Sequence, residues 1–442
     1  MALAAIWSLC SSAEAEQPCP PELSGEGNVV QAATACGGGS TSGSDTPDYV
    51  DPVANVTLLG GRRIVNVSSG SSLVGAANDA SCGDTLQLAP GNYTSNFEIN
   101  RQCPANNPVI VRGAPGFGSV VNAQASLTGS RNIITGIDFN GGNARVQVYG
   151  VNNKLIGNKI RNWTTPKAVM TGGGAGQREQ EIAYNVIGPP GGPASAVRFG
   201  VKADTSSSSD TVPINVWVHH NDFNGFPDGS KNDTDPMEPG NTSHAWANTF
   251  MAGWYIEDNL FRDYSDCHQN AIDMKFSGTV IRRNTVINDC IVKITARIGA
   301  YDIFESNYLD KGEILTHGRG HKVVCNTGSI RVQAGEQDED FTGKDHNDRV
   351  PHLRSYDVLV ARNNGSVSVG HQPNSKYTRP AYGTTIEEQH GSVNFGLQTN
   401  TRDNRNNPSS YRCEPAFRLN ESQVGPVALG SSTQDYKGAR GL

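Results

Sequence analysis

The phrase Ile256-Glu257-Asp258-Asn259-Leu260-Phe261 returns as Ile281-Arg282-Arg283-Asn284-Thr285-Val286 and again as Ile303-Phe304-Glu305-Ser306-Asn307-Tyr308-Leu309. Earlier copies stand at Leu155–Ile160, Ile182–Ile187 and Val218–Phe223, and weaker ones end at Asn326 and Asn363. Asn259 and Asn284 are 25 residues apart, Asn284 and Asn307 are 23 apart, and Asn326 follows 19 later. Such intervals hold two or three short strands with their turns. They do not hold a strand and a crossover helix, because the stretches between copies lack a 3.6-residue period. A short phrase returning at this spacing predicts a solenoid in which each copy is one coil. The expected fold is all-β, a right-handed parallel β-helix. The repeated Asn is expected to be structural, its amide stacking on the next along the axis.

Working outward, Ser69–Ala80 reads as one short helix carrying Leu73, Val74, Ala76 and Ala77, placed to cap the first coil. Longer intervals between Asn185, Asn221 and Asn259 place loop insertions at Ala203–Pro213 and Gly225–Thr249, and Gly335–Pro351 forms an acidic insertion. The domain organisation that follows is a signal peptide at 1–15, a Gly/Ser/Pro-rich linker at 16–55, the β-helix at 56–430 and a tail at 431–442. The leader has an apolar Ala2–Leu9 stretch and Ala13-Glu14-Ala15 as a small-x-small cleavage pattern, so secretion is expected.

Fifty Gly and 18% charged residues suit many short strands joined by tight turns. A net charge of -7 argues against a general nucleic-acid binder, and no apolar run is long enough to span a bilayer. Without Cys10 in the leader, the remaining Cys residues form an even set, and Cys82 and Cys103 lie about one coil apart, spaced for a coil-to-coil disulfide. Cys267, Cys290 and Cys325 read equally well as paired or as buried free thiols.

The chemistry concentrates in Asn270-Ala271-Ile272-Asp273-Met274-Lys275. Strand alternation puts Asp273 and Lys275 on one face and Ile272 and Met274 on the other. Arg297 follows Lys275 by 22 residues, about one coil, and His317-Gly318-Arg319-Gly320-His321 follows at a similar offset. Three coils would then form a basic column in which repulsion from Arg297 turns Lys275 into a usable general base. The plainer alternative is a pair of solvated charges with Asp273 as a cross-strand partner. His220, beside the repeated Asn221, is either structural or reaches the groove. There is no zinc spacing, phosphate-binding loop or nucleophile elbow.

The chain resembles polysaccharide lyase family 6, which contains alginate lyases and chondroitinase B. The likeness runs from Gly83-Asp84-Thr85-Leu86-Gln87-Leu88-Ala89-Pro90-Gly91 through Asn259-Leu260-Phe261, Ile272-Asp273-Met274-Lys275 and Ile294-Thr295-Ala296-Arg297. It continues into Gly318-Arg319-Gly320-His321 and Val358–Asn364. The resemblance implies β-elimination on a uronate-containing polysaccharide, with Lys275 as base, Arg297 as acid and charge neutraliser, and His317, Arg319, His321 and His220 binding substrate. It also implies a calcium ion (Ca2+). Its usual glutamates are replaced here by His268 and Asn270, which leaves Glu238, Asp266 and Asp273 as the candidate ligands. The expected partner is an acidic polysaccharide such as alginate, met outside the cell. Three alternatives stay open: a non-catalytic glycan-binding or cell-surface β-helix, a uronate C5-epimerase, or another β-helix carbohydrate-active enzyme such as a hydrolase with paired carboxylates.

Overall fold

The repeated phrase is the turn at which each coil passes from one sheet to the next. A computed structural model describes residues 63–428, apart from 173–175, 193–198, 204–212, 227–233, 241–250, 266–269, 298 and 336–354. The signal peptide, the linker and the tail expected from the sequence lie outside the described residues. Strands run from Ile64–Val67 to Arg402–Asn404 and pair in parallel with the coil before and the coil after. One face is a 14-stranded sheet. A second, 20-stranded sheet covers two faces, because the long strands Tyr308–Thr316 and Thr327–Gln333 run through the corner between them. This is the parallel β-helix that the repeat spacing predicts.

Register stacks like on like. Val146, Val169, Val201, Met237, Ile272, Ile294, Ile314, Ile330 and Val367 form one inward column, each no more than 1% exposed. That column and its neighbours are the core, and their burial is the main stabilising term. The helix Gly70–Asp79 closes the first end. Ser69 caps it, with its hydroxyl accepting from the Ser72 amide, and Leu73 and Ala77 turn onto the coil below. Cys82 and Cys103 are joined, with Cα atoms 5.4 Å apart.

At the repeated phrase, the residue before each Asn takes a left-handed backbone: Tyr184, His220, Asp258, Arg283, Ser306, Cys325 and Arg362 all have positive φ. That conformation turns the chain and points the next side chain inward. Asn259 then donates its backbone N–H (3.1 Å) and its side-chain amide (3.0 Å) to Oδ1 of Asn284. Asn284 does the same to Asn307, and the ladder continues through Asn326 to Asn363. The buried turn amides are satisfied, which is the structural role expected of the repeat.

Two expectations need correction, and one open alternative is resolved. Gly225–Thr249 is not simply an insertion, because Met237–Glu238 within it is a coil strand paired with Val201 and Lys202 on one side and Ile272 on the other. The solenoid does not run to residue 430. After Asn404 the chain turns back along the coils, bonding Glu387 and Glu388 through Ser409, Glu305 through Tyr411, Thr285 through Leu419 and His220 through Gly425. Cys325 is not a free thiol: it is bonded to Cys413, 88 residues on, and so fastens this returning segment. Cys290 is disulfide-bonded as well.

Candidate active site

The strand Asn270–Met274 sends Ile272 and Met274 inward and Asp273 outward, with Lys275 following on the same outward face. Register Met274↔Ala296↔Thr316 carries Lys275, Arg297 and His317 into one column across three coils. The register Met237↔Ile272 sets Glu238 beside Asp273, and Lys202 pairs with Glu238 one coil earlier. All of these groups therefore sit at one edge of one sheet.

All of them but Arg297 are buried. The side chains of Asp273 and Lys275 are 1% and 8% exposed, while that of Arg297 is 46% exposed. The Nζ of Lys275 lies 2.8 Å from Oε1 of Glu238 and 3.1 Å from Oδ2 of Asp273. The same Asp273 oxygen receives Arg297 Nη1 at 3.4 Å. Lys202 pairs with the same Glu238 oxygen, donates to the Gly240 carbonyl at 3.1 Å, and holds its ammonium 4.8 Å above the Phe199 ring. Direct repulsion between Lys275 and Arg297 is thus replaced by a shared carboxylate. Gly240 is required here for space: at φ +103, a Cβ would meet the Lys275 Cβ at 2.9 Å.

A third carboxylate closes the group. Asp235, Glu238 and Asp273 each offer an oxygen, all within 4.8 Å of one another. Asp235 Oδ1 accepts the Asn270 backbone N–H at 3.0 Å, and Thr295 donates to the Asn270 side chain at 2.7 Å. Asp235 Oδ2 and Asp273 Oδ1 have no hydrogen-bond partner among the described residues. Burial first, and then the charge of Asp273, push Asp235 up to about 8. Asp273 holds the Arg297 guanidinium above its ordinary value.

The other expected site residues are placed differently. Arg319 lies beyond the column, its guanidinium over the Tyr301 ring at 5.0 Å and bonded to Tyr356, whose ring stacks on Tyr382 at 5.1 Å. His317 is buried against Tyr377, with ring centroids 6.3 Å apart. His321 is fully buried. Its Nδ1 accepts the Asp302 backbone N–H at 3.2 Å and its Nε2 donates to the His317 carbonyl at 2.6 Å, so it meets no groove. His220 occupies the Asn-ladder corner, stacked on Tyr184 under the returning C-terminal segment. Asp266 and His268 lie outside the described residues. Asp235 and Lys202 escaped the sequence reading because Asp235-Pro236-Met237-Glu238-Pro239-Gly240 resembles a loop, and only Lys202↔Glu238 pairing brings Lys202 into the site.

No protein-family model matches the sequence, and no curated protein matches it. The fold does match solved structures. A family 6 polysaccharide lyase from Pseudopedobacter saltans superposes with TM-score 0.62 at 16% identity, over 82% of this chain and 99% of the other. A mannuronic acid-specific family 6 lyase from human gut microbiota gives 0.60 at 16% identity, over 82% and 96%. A family 6 alginate lyase solved in complex with a trisaccharide gives 0.59 at 13% identity, over 84% and 96%. The chain shares the parallel β-helix fold of these lyases. Among the described residues, no helix is long and apolar enough to cross a membrane.

Proposed function

We propose that this protein is a lyase that cleaves an acidic, uronate-containing polysaccharide by β-elimination at the end of the strand Asn270–Met274. The observation that carries the reading is the pairing of Lys275 and Arg297 on adjacent coils through one oxygen of Asp273, in a fold shared with family 6 lyases. The half-exposed Arg297 receives the uronate carboxylate, withdraws charge from it and so acidifies the C5 hydrogen. Lys275 passes its own proton to Glu238 or Asp273 and, as the neutral amine, takes the C5 proton. The C5–H electron pair becomes the C4–C5 double bond, the C4–O bond breaks, and the departing oxygen takes the proton that Lys275 gained. Of the two tasks expected of Arg297, charge neutralisation suits a guanidinium held firmly protonated by Asp273. Arg319 and the Tyr301 and Tyr356 rings beside it are placed to meet a neighbouring sugar.

Alginate is the first polymer to test, because two of the matched structures are lyases of alginate or mannuronate. Export belongs to the same proposal, since the disulfides suit an oxidising compartment. Lys275→Ala should lower the rate of unsaturated-uronate formation by a factor on the order of 10³ while leaving the circular dichroism spectrum unchanged. Full activity in that variant would end the proposal. One observation favours a second reading, hydrolysis: Asp235, protonated near neutral pH, sits beside Asp273 as an acid beside a carboxylate. New reducing ends without ultraviolet absorbance would select it.

A further inference from the structure

Six ionisable side chains meet at the sheet edge. Three carry carboxyl groups, Asp235, Glu238 and Asp273, and three are cations, Lys202, Lys275 and Arg297. The pairing is specific. Glu238 Oε1 receives both Lys202 and Lys275, and Asp273 Oδ2 receives both Lys275 and Arg297. A calcium ion needs six to eight oxygen ligands, and two of the nearest oxygens here each already face two cations. An added divalent ion on either oxygen would lie against an ammonium or guanidinium group, with like-charge repulsion in a buried setting. The residues present therefore do not fit the calcium that the family resemblance implies.

We propose that Lys202 is a tethered cation that stands in place of a divalent metal, binding the carboxylate of Glu238 and thereby positioning Lys275. Its surroundings are built for an ammonium: a carboxylate, the Gly240 carbonyl and the face of Phe199 surround it, and the residue is 9% exposed. Lys202 acts through Glu238, so it is a positioning residue and need not touch the sugar. The proposal rests on the lyase reading only for its activity arm.

The test uses the full chain after chelator treatment, with radioactive calcium in equilibrium dialysis and thermal unfolding as readouts that need no substrate. Wild type and Lys202→Arg should bind no stoichiometric calcium up to about 1 mM, a range that covers even weak extracellular calcium modules, and should melt at the same temperature in calcium and in chelator. Lys202→Met removes one of the two cations that Glu238 Oε1 receives, so it should bind calcium at least about tenfold more tightly than wild type and melt higher in calcium than in chelator. One calcium bound per wild-type chain would overturn the proposal, as would a Lys202→Met protein whose calcium response equals that of wild type. If Lys202→Met does not fold, wild type and Lys202→Arg alone decide the point. Elimination that stops in chelator would sink this inference and leave the lyase reading standing. A protein that neither eliminates nor binds calcium would sink the lyase reading alone.

Discussion

Asp302 and His321 look like an ion pair, since their oxygen and nitrogen lie 3.5 Å apart and both side chains are fully buried. The hydrogen bonds say otherwise. Nδ1 of His321 accepts a backbone N–H, so it carries no proton, and Nε2 donates, which defines a neutral ring. Burial lowers His321 to about 4 and raises Asp302 well above its usual range. A depressed folded-state value means that the His321 contribution is fully present above the unfolded value of 6.5. It is lost as pH falls through about 4. Asp235 and Asp302, both raised, act with the opposite sign: their contributions are present below about 4 and lost as pH rises. His321→Gln should therefore be compared with wild type at each pH. The stability advantage of wild type should shrink between pH 6.5 and about 4, by no more than about 1.4 kcal/mol per pH unit, in urea unfolding. A constant difference would contradict the neutral-ring assignment. Spacing alone put Lys275 and Arg297 on adjacent coils, while the burial of His321 was not legible, because a His-Gly-Arg-Gly-His run reads as exposed.

The Asn ladder is the element that the sequence states most openly. Each amide occupies a buried turn, so its loss strands the neighbour's donors. Asn284→Ala removes the acceptor for the Asn259 N–H and side-chain amide, and the donor to the Ile256 carbonyl and Asn307. It should cost on the order of 3 kcal/mol in urea unfolding, whereas a change within 0.5 kcal/mol, the size of an ordinary surface substitution, would contradict the ladder's structural role. The returning C-terminal segment left no such trace, since residues 405–428 carry no repeat. Cys413→Ser should release it, making 405–428 cleavable by protease while the coils stay resistant. Equal resistance in both proteins would show that the hydrogen bonds alone hold the segment. The strand Met237–Glu238 was illegible for a related reason: two residues flanked by prolines carry no alternation, and only stacking between Lys202 and the Asn270 strand defines them.

At the scale of the molecule, a parallel solenoid converts sequence intervals of about one coil into side-by-side contacts. That is why residues 202, 238, 275 and 297 can act together. The fold was readable because each coil repeats the same local choices of strand, left-handed turn and inward amide. The site was half readable, because its carboxylates and Lys202 depend on which insertion ends where. Arg297→Ala should lower elimination by about 10²–10³, the loss typical of removing one group that stabilises developing charge. Retention of wild-type turnover would remove Arg297 from the chemistry. The most direct measurement is ultraviolet absorbance of the C4–C5 double bond while wild type and Lys275→Ala are each incubated with alginate and other uronate polymers. The account expects absorbance to rise with wild type and to stay flat with the variant. Absorbance that rises equally with both, or with neither on any uronate polymer, would contradict it.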